Sequence, residues 1–180
     1  KVFVALCDNA TQNIAKVGQS IGDGDKPEAN LYWGTYDALP HVFGKSKQWK
    51  KVSSRKQVTD AVMRELKLRH TGNKSELTAL AYRGSSMKQC YIDFEAAVAT
   101  GKYDLVCYIG HTALMDIRTP ELAKPAPAND TDVVVLSCLS DSYCSERIRK
   151  LGAKPVLMTC SLMYPGAFIL HDALAVWHRE

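Results

Sequence analysis

The amino-acid sequence predicts an α/β domain: a three-layer sandwich in which helices cover both faces of a mostly parallel central sheet. Three observations carry this. Short β-rich runs alternate with helical segments, the order that builds parallel sheets. The run Asp132–Ser137 (DVVVLS) is apolar and β-branched almost throughout, as a strand buried on both faces must be. The 180 residues, 46% apolar and 23% charged, suffice for one core, so a single domain over 1–180 is expected.

Val2–Cys7 (VFVALC) predicts the first strand, closed by the turn-forming pair Asp8-Asn9. A long polar connection follows. Gly22–Pro27 is turn chemistry, and Leu31–Gly34 carries an aromatic pair suited to docking back on the core. Asp37–Phe43 predicts a short helix with Pro40 in its first turn. Gln57–Arg69 places Val58, Ala61, Val62, Met63 and Leu66 at helical spacing, which predicts a helix with a basic outer face. Glu76–Tyr82 (ELTALAY) is the second strand. Ser86–Thr100 is a helix with Met87, Cys90, Tyr91, Phe94, Ala97 and Val98 on one side and Gly101 at its C-cap. Asp104–Ile109 (DLVCYI) is the third strand, closed by Gly110-His111, and residues 117–131, with three prolines, form a loop. After the Asp132–Ser137 strand, Ser142–Leu151 predicts a helix, with Ser140 and Asp141 as its caps and Gly152 at its end. Pro155–Thr159 is the fifth strand, and Pro165–His178 the last helix, opened by Pro165.

Composition excludes several classes. The longest strongly apolar stretches, such as Val133–Leu136, are far short of the roughly 20 residues of a membrane span, so no membrane partner is expected. Six cysteines form no C-x-x-C pair. Cys7, Cys107, Cys138 and Cys160 lie in or at the ends of apolar runs, so free thiols are expected rather than a disulfide framework. The chain starts at Lys1 without Met or an apolar leader, which leaves a soluble protein that is either cytoplasmic or exported after removal of a signal peptide. The net charge of +4 is uneven: residues 45–69 hold nine basic side chains against two acidic, the rest fourteen against seventeen. Such a face attracts phosphate or nucleic acid. No nucleic-acid fold signature accompanies it, so a solvated helix surface is the expected reading. Asp23-Gly24-Asp25 lacks the spaced ligands of a calcium loop and reads as a turn. No G-x-G-x-x-G or P-loop follows a strand, which counts against a nucleotide- or phosphate-binding domain. Neither metal nor cofactor is expected, and nothing in the sequence sets an oligomeric state.

In open parallel sheets ligands bind beyond the carboxyl ends of the strands. The residues there are Asp8 and Asn9, Arg83 and Gly84, His111, Cys138, and Cys160 with Ser161. His111 and Cys138 follow successive strands. Adjacent strands would set an imidazole about 5 Å from a thiol-bearing turn, the pairing that generates a reactive thiolate. The helix starting near Asp141 would add its positive end. Asp8 is a candidate to orient His111 or to bind a substrate amine, and Arg83 to bind a substrate carboxylate. Asp116 and Arg118 follow His111 and are candidates to shape a specificity pocket. His171 and His178, seven apart, read as surface residues.

Tyr108-Ile109-Gly110-His111 after one apolar strand, then Val133-Val134-Val135-Leu136-Ser137-Cys138 after the next, resembles the caspase-like cysteine peptidases. That clan includes caspases, gingipains, legumains, separase and the CHAT domains. The resemblance covers about residues 75 to 180 and, more loosely, Val2–Cys7. It implies a caspase-like α/β sandwich that hydrolyses a peptide or protein substrate, with His111 as base and Cys138 as nucleophile. It also implies Ser137 as the small residue before the nucleophile. The clan's Gly directly after the His is replaced by Thr112, whose backbone N–H, with that of Ala113, remains available to hold an oxyanion. The Q-A-C-x-G signature of caspases is missing around Cys138. The alternative is a catalytically inactive binding or scaffolding domain on the same fold.

Overall fold

All four residues of the first strand, β1 (Val2–Ala5), are buried, so β1 must lie inside a sheet with both faces covered. The computed structural model describes residues 1–122, 125–164 and 166–177. After β1 come α1 (Leu39–Lys45), β2 (Trp49–Lys56), β3 (Val62–His70), β4 (Glu76–Tyr82) and α2 (Met87–Ala99). Then follow β5 (Leu105–Ile109), β6 (Asp132–Leu136), α3 (Ser140–Lys150), β7 (Lys154–Leu157) and α4 (Phe168–Trp177). The expected helix start at Pro165 and the residue His178 lie outside the described residues.

Seven strands form one sheet in the order β2-β3-β4-β1-β5-β6-β7. The β4-β1-β5-β6-β7 pairings are parallel, while β2-β3 and β3-β4 are antiparallel. The sheet is therefore mixed, not mostly parallel. The correction arises in the segment expected to be the helix Gln57–Arg69, which is instead the second arm of a hairpin. Leu66 and Leu68 are buried and alternate with Lys67 and Arg69, a strand period hidden under an apparent helical one. The basic segment is thus a β-ribbon, and Arg55–Glu65, Arg64–Glu28 and Arg69–Glu76 ion pairs absorb part of its charge.

The alternation along the central strands divides the core into two layers. Val2, Val4, Cys107, Ile109, Val134 and Leu136 face Leu39 and Phe43 of α1 and Leu170 and Leu174 of α4. Phe3, Ala5, Val106, Tyr108, Val133 and Val135 face Met87, Phe94 and Val98 of α2 and Cys144 and Ile148 of α3. Fully burying each large aliphatic side chain contributes about 1.5–3 kcal/mol. Apart from the Gln57–Arg69 segment, the four helices lie where the sequence predicts them, the three-layer arrangement holds, and β6 lies inside the sheet between β5 and β7.

Between β1 and α1 the chain makes only turns, and a buried amide organises them. Asn30 is fully buried. Its Nδ2 donates to the carbonyls of Cys7 (2.8 Å) and Asp23 (3.1 Å), and its Oδ1 accepts from the N–H of Cys7 (3.0 Å) and Tyr32 (3.1 Å). It extends the polar ladder of β1 where no strand partner remains. Replacing Asn30 with Ala orphans both backbone groups of Cys7, which are buried, and is expected to lower stability by about 3 kcal/mol in urea unfolding. A loss below about 1 kcal/mol would show that the connection holds without it.

Candidate functional site

The site is built from the ends of β5 and β6. Their parallel register, from Leu105↔Asp132 to Ile109↔Leu136, ends both strands at the same level. On β5 the chain turns at Gly110, whose φ is +155°. A Cβ there would meet the Ala5 carbonyl oxygen at 3.0 Å, so the backbone passes close to β1 only because no side chain is present. The Tyr108 hydroxyl donates to the carbonyl of His111 at 2.8 Å and fixes the turn. The Thr112 hydroxyl donates to the carbonyl oxygen of Cys138 itself. The two loops that carry His111 and Cys138 are thereby tied together.

Beyond Cys138 the turn is tight. Leu139 takes a left-handed φ of +52°, which costs a residue with a Cβ about 1–2 kcal/mol. The first residues after β7 offset this. The N–H groups of Leu139 and Asp141 donate to the carbonyls of Ser161 (3.0 Å) and Thr159 (3.1 Å), and that of Ser140 to the Thr159 hydroxyl (3.1 Å). Helix α3 begins at Ser140, not Ser142. Neither Ser140 nor Asp141 caps it. The Ser140 hydroxyl reaches back to the Val135 carbonyl (2.8 Å), and Asp141 accepts from the Ser145 hydroxyl (2.6 Å). The positive end of α3 still abuts the turn that carries Cys138.

His111 is 8% exposed, and its Nε2 lies 3.1 Å from Oδ2 of Asp116. The Asp116 side chain is 13% exposed, although the residue's backbone lies open to solvent. Asp8, expected to orient His111, does something else: it accepts from the N–H of Ala10 (3.0 Å) and the hydroxyl of Thr11 (2.5 Å), closing its own turn. A short 3-10 turn, Ala113–Met115, explains why Asp116 takes the position instead, since it folds the carboxylate back over the imidazole. Arg83 pairs with Asp25 on the surface and contacts the Asp60 carbonyl, so its guanidinium is engaged. The close approach of Gly84 to Asp8, where a Cβ would come within 2.4 Å of the Asp8 Cβ, packs the ends of β4 and β1 together.

Among the described residues the N–H groups of Thr112 and Ala113 donate to nothing. Ser137 is 1% exposed, and its hydroxyl is the one buried side-chain polar atom without a partner among those residues. Arg118 lies exposed in the loop. His171 bonds Asp172 (2.9 Å) and Ser46 (2.8 Å), far along the chain from the site. Asp23-Gly24-Asp25 is a turn, with Asp25 N–H on Asp23 Oδ1 and Lys26 paired to Asp23.

The six thiols are all free and fall into two groups. Burial pushes Cys7 and Cys144 up to about 11 and moves Cys90 and Cys107 upward as well. Cys138 is half-buried, and Cys160, expected at the end of a buried strand, is exposed because β7 is an edge strand. Half-buried Tyr32 is a neighbour that the sequence did not signal. Burial, and secondarily the proximity of Cys7 and Cys138, holds its phenol neutral.

No family model matches the chain, and comparison with curated proteins and with solved structures returns no match. Among the described residues no three His, Cys, Asp or Glu side chains form a group that could hold a metal ion, and no helix is long and apolar enough to cross a membrane. A cavity of about 480 Å³, lined in part by Lys1, Trp49, Leu105 and Leu170, lies at the amino ends of the parallel strands, and among its described lining residues there is no nucleophile paired with a base.

Thiol titration separates the two groups. Two cysteines, Cys138 and Cys160, should react in the native protein and six after denaturation without reductant. Fewer than six in the denatured protein would reveal a disulfide, and more than two in the native protein would contradict the burial of the other four.

Proposed function

We propose that the protein is a caspase-like cysteine hydrolase acting on peptide or protein substrates, with Cys138 as nucleophile and His111 as base. The observation that carries this reading is the tie between the two loops. Thr112, next to His111, bonds the carbonyl of Cys138 at the carboxyl edge of two adjacent parallel strands. The half-exposure of Cys138 and the order of strands followed by His111 and then Cys138 support it too.

The chemistry then runs in two steps. His111 takes the thiol proton, and the Cys138 thiolate attacks the substrate carbonyl carbon. The oxyanion that forms is held by the unoccupied N–H groups of Thr112 and Ala113. Those of Leu139, Ser140 and Asp141 are already engaged. The imidazolium returns its proton to the leaving amine as the peptide C–N bond breaks, leaving a thioester on Cys138. His111 next deprotonates a water, which attacks the thioester carbon; the C–S bond breaks, the imidazolium returns its proton to the Cys138 sulfur, and the acid product leaves.

The test is hydrolysis of a mixed peptide library read by mass spectrometry. Wild-type protein and Cys160→Ala should cleave it. Cys138→Ala and His111→Ala should each lose activity by roughly a thousandfold or more. A library left intact by the wild-type chain, or cleaved equally by Cys138→Ala, would overturn the hydrolase and leave a binding domain on this fold.

A further inference from the structure

We propose that Asp116 is the positioning residue for the His111 imidazole, and that the turn after β1 holds Asp116 in place through the backbone N–H of Asn13. This rests on the assignment of Cys138 and His111 above.

A single carboxylate oxygen joins the two. Oδ2 of Asp116 receives the N–H of Asn13 at 2.8 Å and lies 3.1 Å from Nε2 of His111. A carboxylate accepts only, so the proton between it and the ring belongs to Nε2. The other nitrogen, Nδ1, is then the lone-pair nitrogen, left to take the Cys138 proton. A histidine without this partner would divide its neutral population between two tautomers, one of which cannot act as base through Nδ1.

Asn13 is placed by its neighbour. Gln12 is 4% exposed. Its Nε2 donates to the carbonyls of Leu6 (2.8 Å) and Gly84 (3.2 Å), and its Oε1 accepts from the N–H of Asp8 (3.1 Å). The turn is thus pinned to the ends of β1 and β4 by a buried side chain, and the next N–H crosses to the His111 loop from the strand beside it. The ends of β4, β1, β5 and β6 are linked by a path of hydrogen bonds and two peptide links: Gln12 on Leu6 and Gly84, its neighbour Asn13 on Asp116, Asp116 on His111, and the next residue, Thr112, on Cys138.

The carboxylate also matters after proton transfer. When the thiol proton reaches Nδ1, the ring becomes a cation whose Nε2–H already points at Asp116, and a charge-assisted bond of this kind is roughly twice as strong as a neutral one. A merely structural carboxylate would hold the loop without affecting which ring nitrogen carries the proton.

Heteronuclear NMR of the imidazole nitrogens in the wild-type protein, above the pH at which the ring is protonated, should show His111 with its proton on Nε2. In Asp116→Asn, whose amide can donate as well as accept, the Nδ1–H form should appear. Iodoacetamide provides the second readout: the Cys138 S–C bond forms, iodide leaves, and the thiol proton passes through His111 to solvent. Asp116→Asn should slow alkylation of Cys138 by roughly tenfold or more near neutral pH and leave Cys160 unchanged. Reaction at Cys7, Cys90, Cys107 or Cys144 would report unfolding; the wild-type tautomer then decides alone. A proton on Nδ1 in the wild-type ring overturns the proposal. So does an unchanged Cys138 rate in folded Asp116→Asn; if His111→Ala still slows Cys138, the hydrolase reading stands without it. If His111→Ala leaves Cys138 unchanged, the hydrolase reading falls, and this proposal with it.

Discussion

The parallel pairing of β5 with β6 is the constraint from which the rest of the candidate site follows. Antiparallel neighbours would send successive strand ends to opposite edges of the sheet. Parallel neighbours in register, closed at Ile109↔Leu136, deliver His111 and Cys138 to one edge at one height. The register is enforced by burial on both faces: Val106, Tyr108, Val133 and Val135 enter one layer, Cys107, Ile109, Val134 and Leu136 the other. A slip of either strand by one residue would exchange the layers for all of that strand's side chains. Position at the site is therefore inherited from the core.

What the core does not provide, buried side-chain amides do. The stretch from Cys7 to Ala38 has no strand or helix, yet it reaches the ends of β1 and β4 through Asn30 and Gln12, each satisfied by several backbone groups. Short polar side chains replace backbone ladders there, which lets a loop lie against a sheet edge without unpaired polar groups. The consequence for the candidate site is a turn beside His111 that is tied to two strand ends by buried hydrogen bonds. On the other flank, Thr159 and Ser161 occupy the first amides of α3 and hold Leu139 in its left-handed conformation.

Among the described residues, the five parallel strands and the four helices were legible in the sequence: the central strands and the helices bury a run or face of matching period, and β7, an edge strand with no buried residue, shows only as a short apolar run. The hairpin was not legible. Val62, Met63 and Leu66 satisfy a helical spacing, because the bulge between Val62 and Arg64 breaks the alternation that Leu66 and Leu68 keep, and β2 (WKKVSSRK) buries only Trp49, so no apolar pattern announced a partner. At the candidate site, the ends of β5 and β6, which carry His111 and Cys138, were legible because each closes an apolar run. The sequence points to the wrong carboxylate beside His111: Asp8, at the first strand end, is the candidate to orient it, and Asp116 only a candidate to shape a pocket. Thr11 and Ala10 occupy Asp8, and the 3-10 turn folds Asp116 back over the ring instead. Gln12 and Asn30 gave no signal at all, since a buried amide that bonds only backbone has no sequence pattern.

Labelling with a set of peptidyl chloromethyl ketones, followed by mass-spectrometric mapping of the adduct, tests most directly whether Cys138 and His111 act together on a bound peptide. The account predicts a single adduct, on Cys138, whose formation is much slower in His111→Ala and unaffected in Cys160→Ala. Labelling confined to exposed Cys160, or labelling of Cys138 at the same rate without His111, would contradict it.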